Sequence, residues 1–171
     1  MFKSFQSTFK IPELRRKILF TLGILVVYRL GGHVPIPGID TQVLLEFFAR
    51  SMQNTLFGLY DMFVGGAFRK MTIFALGIMP YISASIIFQL LGSVIPYFQK
   101  LQKEGEEGRK KINQYTRYAT VALAIIQSTG VSLYLESIQS PVSGLPVVPN
   151  PGLGFKFVTV LTITTGTIFI M

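Results

Sequence analysis

The fold class is decided by residues 71–99, which read MTIFALGIMPYISASIIFQLLGSVIPYFQ and contain no charged side chain in 29 positions. About 20 apolar residues are enough for an α-helix to cross the hydrocarbon core of a bilayer. Pro80 lies inside this run, and a proline inside a helix removes a backbone hydrogen bond and kinks the axis. We therefore predict a membrane-spanning helix over residues 71–97 that is kinked at Pro80.

Three more apolar runs flank this one. The first predicts a span over residues 18–36, although its eleven uncharged residues before Arg29 are too few to cross a core about 30 Å thick. Arg29 must then reach the membrane surface or lie inside the protein. Residues 117–136 and 155–171 predict a third and a fourth span. The fourth run ends without a cap or a flanking charge, so we expect the chain to be a fragment.

The composition agrees with lipid as the solvent of these helices. Half of the residues are hydrophobic, 14% are charged and the mean hydropathy is +0.50, whereas soluble domains carry about one quarter charged residues. We predict an all-α membrane protein, a multi-spanning helical bundle.

The net charge of +8 could indicate a nucleic-acid partner, but the basic residues follow the boundaries of the apolar runs. This is the pattern of the positive-inside rule. It predicts a cytoplasmic amphipathic segment at 1–17 and a cytoplasmic basic loop at 98–116, which leaves 37–70 and 137–154 outside. Eleven of the sixteen basic residues lie in or beside the two cytoplasmic segments: Lys3, Lys10, Arg15, Arg16, Lys17, Lys100, Lys103, Arg109, Lys110, Lys111 and Arg117.

Enzyme chemistry has few candidate residues in this sequence. There is no cysteine, and His33 is the single histidine, so the usual zinc ligand sets cannot be assembled. Glu104, Glu106 and Glu107 lie together in a lysine-rich stretch, where solvated charge explains them. We expect no catalytic residue, no metal site and no cofactor, and a protein that provides a pathway.

Three strings carry a family resemblance in the same order along the chain: YRLGGHVPIPGID (28–40), GGAFRKMTIFALGIMPYISASIIFQLL (65–91) and KEGEEGRKKINQYTRYATVALAIIQ (103–127). They resemble the SecY family, the central subunit of the bacterial Sec protein translocon. Val64 departs from the serine that the family often has there, and residues 41–60 carry no motif that we match.

The resemblance implies a channel that passes unfolded secretory polypeptides across the membrane and releases transmembrane segments sideways into lipid. It places the protein in the bacterial inner membrane with a cytoplasmic N-terminus, and the chain would hold the first four of about ten spans. The partners implied are SecE and SecG, the SecA motor ATPase, the ribosome, signal-bearing precursor polypeptides and membrane lipid, with no specific nucleic-acid sequence.

The resemblance also implies a short re-entrant plug half-helix over residues 56–68. Its composition fits an apolar surface followed by a glycine hinge, although an ordinary external loop helix would explain it as well. The plug residues are Leu56, Phe57, Leu59, Met62, Phe63, Gly65 and Gly66.

The family's pore ring falls on Ile78 and Ile82. These residues are four apart and share one helical face with Ser85 and Gln89. Apolar side chains around a narrow neck would block water and ions by dewetting. Ordinary helix packing remains the alternative.

The lateral gate of the family corresponds to Ser83 and Gln127, polar residues that could equally stabilise a permanent helix interface. The cytoplasmic partner loop corresponds to Arg109, Lys110 and Lys111, whose charges topology alone would also explain. Two other classes stay open on sequence grounds: a secondary transporter of small solutes and a structural anchor subunit.

Overall fold

The computed structural model describes residues 12–51, 56–139 and 144–171, and within these ranges the chain is almost entirely helical. In the part of the chain that the structure describes, β-type pairing consists of two isolated bridges, Pro35 with Thr72 and Gln139 with Pro146. The seven helices of the described ranges are α1 (Pro12–Gly31), α2 (Thr41–Ser51), α3 (Leu56–Phe63), α4 (Met79–Val94), α5 (Pro96–Lys103), α6 (Glu106–Ser137) and α7 (Leu153–Ile170). The all-α fold class is therefore confirmed. Most of the amphipathic segment predicted at 1–17 lies outside the described residues.

Helix α4 begins later than the charge-free run does. Residues 64–78 contain turns and no α-helix, and α4 starts only at Met79. Pro80 is consequently in the first turn, where its missing N–H is one that has no partner in any helix. The kink predicted at Pro80 is wrong for this reason.

The bend lies sixteen residues further on, at a different proline. Helices α4 and α5 meet at an angle of 100°, with Ile95 extended between them and Pro96 as the first residue of α5. A residue before proline is pushed away from helical geometry, which is why the axis breaks at Ile95. Rings from three helices pack on the inside of this bend, with Phe98 against both Phe88 and Tyr115.

The segment predicted as a basic loop at 98–116 is mostly helical. Helix α5 continues to Lys103, and α6 begins at Glu106 after a single break. Gly105 provides that break with a φ of 72°, a conformation that suits glycine. Acidic side chains in the first turn of α6 interact favourably with the helix dipole, so a stretch rich in charge and glycine still forms helix here.

Helix α6 packs on its neighbours through small residues that recur every four positions. These residues are buried: Thr116, Thr120, Ala124, Ser128 and Ser132. Their hydroxyls bond to carbonyls of the same helix, as Thr120 does to the Thr116 oxygen at 2.7 Å. Close packing of small residues is the usual way that helices associate in membranes.

The non-helical segment 64–78 is held inside the bundle. Its Phe74 ring stacks on Tyr28 of α1 at 5.1 Å and on Phe169 of α7 at 5.9 Å, measured between ring centroids. Gly166 of α7 lies directly against the Ile73 carbonyl, leaving no room for a side chain. The Ile73 N–H also bonds to the Val34 oxygen at 3.1 Å. Irregular backbone at membrane depth is tolerated where protein surrounds it in this way.

A compact apolar core lies beneath the segments that join α1 to α2 and α6 to α7. Backbone hydrogen bonds connect these segments: Asp40 N–H donates to the Val147 oxygen, and Val147 N–H donates to the Ile138 oxygen. The fully or almost fully buried side chains of this core include Ile36, Leu44, Met71, Leu135, Val147, Val148 and Ile163. The described residues after α1 and before α7 are therefore held by packing and backbone hydrogen bonds.

Two of the described helices, α6 and α7, are long and apolar enough to cross a membrane, and the bent pair α4–α5 makes a third if it counts as one span. Helix α1 has 20 residues, but four of its first six positions are charged (Glu13, Arg15, Arg16 and Lys17). Its apolar side chains are nevertheless exposed; Phe20, for example, exposes 70% of its surface. The structure thus has the apolar helices of a membrane protein, and the number of four spans stays a prediction.

Candidate functional site

An apolar cavity of about 340 Å³ lies where five parts of the chain meet. We call it the neck cavity. Helix α1, the end of α3, both ends of segment 64–78, the start of α4 and the end of α7 contribute to its wall. The lining residues are Ile24, Leu25, Tyr28, Phe63, Val64, Gly77, Ile78, Met79, Ile82, Phe169 and Ile170.

Both residues predicted for the pore ring line the neck cavity. Ile78 is the residue that precedes α4, and its carbonyl accepts a hydrogen bond from the Ile82 N–H at 3.0 Å. This bond spaces the two side chains by one helical turn, as the sequence predicted. They expose 51% and 40% of their surfaces, so each still presents aliphatic carbon to open space.

Helix α3 coincides with most of the half-helix predicted at 56–68. Its Phe63 ring lines the neck cavity beside Ile78 and Ile82. Met62 and Leu59 are exposed but belong to no wall of that cavity. The side chains of Leu56 and Phe57 lie outside the described residues. Phe63 is therefore the one predicted plug side chain among those described that the fold brings to the predicted pore ring.

The glycine pair that follows α3 makes the turn expected of it. Gly65 and Gly66 have φ values of 67° and 82°, in the left-handed region that side chains other than glycine disfavour. The Gly66 N–H donates to the Asp61 carbonyl oxygen at 2.8 Å. The chain thus reverses sharply and returns along α3.

Two residues that the sequence reasoning missed hold α3 against this returning chain. One carboxylate oxygen of Asp61 accepts the Arg69 N–H at 2.9 Å, and the other lies 3.7 Å from Arg69 Nε. The Tyr60 hydroxyl donates to the Leu76 carbonyl at 3.3 Å, and its ring packs edge-on against Phe68. Burial raises the pKa of Tyr60 to about 12, so this hydroxyl stays a donor at any physiological pH. The sequence signal for Asp61 was its position as the single charge in residues 51–68.

The predicted lateral-gate residues lie on two helices that pack together, α4 and α6. Ser83 and Gln127 are both half-buried, and no hydrogen bond joins them in the described part of the chain. Ala84 and Ala124, one position and three positions away, are fully buried. The hydroxyl contact that does connect helices is Ser128 with Thr164, at 3.4 Å between α6 and α7, and sequence reasoning did not single it out.

A polar cleft of about 560 Å³ lies between α4, α5 and the start of α6. Ser85 and Gln89 line it and bond to each other at 3.3 Å, so the face that begins with Ile78 becomes polar toward this end. Arg109 lies on its rim, while Lys110 and Lys111 are exposed on the following positions of α6. Arg109, Lys110 and Lys111, which the sequence predicts in a loop that contacts cytoplasmic partners, therefore lie on a helix. The cleft beside them is lined by amide side chains.

Possible metal ligands are scattered across the described ranges, where no three of His, Cys, Asp and Glu come together. His33 instead bonds through Nδ1 to the Arg29 carbonyl at 2.9 Å. This contact gives a hydrogen-bond partner to a carbonyl in the last turn of α1.

Membrane-length apolar helices, a broken helix and irregular backbone packed inside the bundle define a helical, multi-spanning membrane protein. The SecY family model matches residues 72–171, and the chain belongs to the SecY family. Among its relatives named Protein translocase subunit SecY, that of Aquifex aeolicus is 48% identical over 97% of this chain and 38% of its own length. The Streptomyces griseus protein is 50% identical over 98% of this chain and 39% of its own length. The Escherichia coli protein is 49% identical over 94% of this chain and 35% of its own length. The chain spans less than two fifths of the length of these relatives.

Proposed function

We propose that the full-length protein is the central, pore-forming subunit of a protein-conducting channel. Unfolded secretory polypeptides would cross the membrane through it, and transmembrane segments would leave it sideways into lipid. The single observation that carries this proposal is the meeting of Ile78, Ile82 and Phe63 in the neck cavity of a SecY-family chain. The relatives named as protein translocase subunits give no support to a transporter of small solutes.

The neck cavity would act as a hydrophobic barrier to water and ions. Water and ions that enter an aliphatic neck lose hydrogen-bonding partners and regain none from the wall, so their passage has a high barrier. A polypeptide can fill the same neck, because apolar side chains adapt to a guest without a specific hydrogen-bond pattern. No covalent bond is made or broken by this chain in the proposed mechanism, and the driving force comes from a partner.

Helix α3 would be the plug of the resting channel. It places one aromatic ring, Phe63, in the neck cavity, and it is followed by the glycine turn at 65–66. Helix α3 could therefore move as a unit about that turn. The plug role rests on this placement together with the family resemblance.

The remaining assignments follow from the same proposal. Packing of α4 on α6 would form part of a lateral gate that includes Ser83 and Gln127. The exposed basic residues Arg109, Lys110 and Lys111 would face the cytoplasm and bind SecA or the ribosome. SecE and SecG would complete the complex in the bacterial inner membrane. The N-terminus would be cytoplasmic.

The test of the channel proposal uses the full-length protein with its partner subunits. Deleting residues 57–66 removes α3 from Phe57 onward, so the resting ion conductance in a planar bilayer should rise. A signal-bearing precursor should also become protected from protease inside vesicles only when the complex and the motor are present. Unchanged conductance would remove the plug role, and precursor protection without this subunit would remove the channel role.

A further inference from the structure

We propose that Asp61 is the positioning residue that holds α3 in its resting place, so that Phe63 stays in the neck cavity. This inference rests on the proposed function of α3 as a plug. It adds the contact that keeps the plug seated, which the apolar surface of the half-helix does not explain by itself.

Asp61 binds the returning chain at two separate points. Its side chain accepts the Arg69 N–H at 2.9 Å, with the Arg69 guanidinium 3.7 Å from the second oxygen. Its own carbonyl accepts the Gly66 N–H at 2.8 Å. One residue near the end of α3 thus closes the loop from 61 to 69 from both its side chain and its backbone.

The surroundings of the carboxylate make its contacts hard to replace. Asp61 exposes 9% of its surface, and its side chain 13%. A carboxylate taken out of water needs partners, and a hydrogen bond to a charged acceptor is stronger than a neutral one. The Arg69 side chain is 54% exposed, so the guanidinium can return to water easily. The backbone bond to Arg69 N–H is therefore the stronger half of the contact.

The geometry of α3 explains why this residue controls Phe63. Tyr60 and Asp61 contact the returning chain, whereas the Met62 and Phe63 side chains are 77% and 79% exposed, with Phe63 on the open wall of the neck cavity. Without the Asp61 carboxylate, the described side-chain hydrogen bond that remains between α3 and the returning chain is that of the Tyr60 hydroxyl to Leu76. The backbone bonds of the glycine turn stay, but the end of the helix that carries Phe63 loses its side-chain bond to Arg69.

A set of three variants separates the two halves of the contact in the full-length reconstituted complex. Asp61→Asn keeps an acceptor for the Arg69 N–H and loses the ion pair, so the resting conductance should rise by no more than about fivefold, the limit for an exposed pair. Asp61→Ala loses both and should raise it about tenfold or more. Arg69→Ala keeps the backbone N–H that donates to Asp61 but leaves the carboxylate without its ion pair, so the resting conductance should rise. In the double variant Arg69→Ala with Asp61→Asn the unpaired charge is gone, and the resting conductance should return toward the wild-type level.

The matched control is Asp40→Asn, the same chemical change in the chain's other aspartate. The Asp40 side chain caps α2 by accepting the Gln42 and Val43 N–H groups, and asparagine caps a helix equally well. The resting conductance of this variant should equal that of the wild type.

A second measurement keeps the inference testable if Asp61→Ala also affects assembly. Hydrogen exchange of the Arg69 amide, which is bonded to the Asp61 carboxylate, should be slow in the wild-type complex and about tenfold faster in Asp61→Ala, with α6 and α7 unchanged. Unaltered exchange at this amide overturns the role of Asp61. Conductance that rises on deletion of 57–66 but not in Asp61→Ala overturns it too and leaves the plug intact. No rise in either case overturns both.

Discussion

Ile78 and Ile82 belong to a residue type whose proposed role depends on its position. Isoleucine is frequent in membrane helices, and the sequence alone could not separate a pore wall from helix packing. In the structure both side chains line the neck cavity together with residues of α1, α3 and α7. A hydroxyl at either position would offer water a partner in the middle of an aliphatic wall.

We predict that Ile78→Ser and Ile82→Ser each raise the resting ion conductance of the full-length channel about tenfold, equivalent to a barrier lower by ~1.4 kcal/mol. Single-channel or planar-bilayer recording measures this directly. The control is Ile87→Ser on the same helix, a residue that is 45% exposed and does not line the neck cavity. Equal effects at 82 and 87 would mean that the neck cavity is not the barrier, and altered assembly without leakage would favour the structural anchor.

The residues of the half-helix were only partly predictable. Its apolar positions and its glycine pair are visible in the sequence. The roles of Asp61 and Tyr60 were not, because their partners Arg69 and Leu76 come within reach only after the chain turns at Gly65. A turn of that kind depends on left-handed backbone angles that several sequences can adopt, so the contact follows from tertiary structure.

At the level of elements, the absence of charge predicted the apolar character of residues 71–99 correctly but not where the helix begins. Hydropathy indicates only that a segment avoids water. A membrane helix and an irregular segment buried inside the protein can have the same hydropathy. Pro80 and Pro96 both lie in the first turn of a helix, and what precedes them differs: non-helical turns lead into α4, whereas α4 itself runs up to Ile95, so the second proline marks a bend between two helices. The reverse error occurred at 98–116, where charge and glycine indicated a loop but the helices continue on either side of Gly105.

The close approach of α7 to segment 64–78 gives a test of this packing. In Gly166→Ala the new methyl group would meet the Ile73 carbonyl, and a backbone atom held by neighbouring hydrogen bonds cannot move aside cheaply. We predict a loss of about 1–3 kcal/mol in the free energy of unfolding, the usual cost of overpacking. Thermal unfolding of the full-length protein in detergent measures it.

The control for this variant is Gly130→Ala in α6. No atom outside its own helix lies within 4 Å of the added carbon, and alanine favours helix over glycine by about 1 kcal/mol. The stability should stay the same or increase. A similar loss at both glycines would show that α7 does not depend on contact with Ile73.

At the scale of the whole molecule, the basic residues and the apolar helices together predict an orientation in the membrane. Lys110 is exposed on α6 near the basic cluster, and Asn150 is exposed in the segment before α7, which has no basic residue between Glu136 and Lys156. The positive-inside rule places the first in the cytoplasm and the second outside.

The 171 residues contain no cysteine, so this orientation is simple to measure by labelling introduced cysteines. In intact cells, a membrane-impermeant maleimide should label Asn150→Cys of the full-length protein, and Lys110→Cys should react only after the membrane is permeabilised. Any native cysteine elsewhere in the full-length protein is replaced first. The opposite pattern of labelling would reverse the proposed topology.

The contact between Gly166 and Ile73 also bears on the order in which the chain matures during synthesis. The two residues are 93 positions apart, and at 5–20 residues per second the ribosome needs roughly 5–20 s to make the chain between them. Segment 64–78 is complete well before the helix that encloses it exists. Segment 64–78 therefore lacks one of its packing partners until α7 has been made, and we expect the neck cavity, which α7 also lines, to be complete only after that.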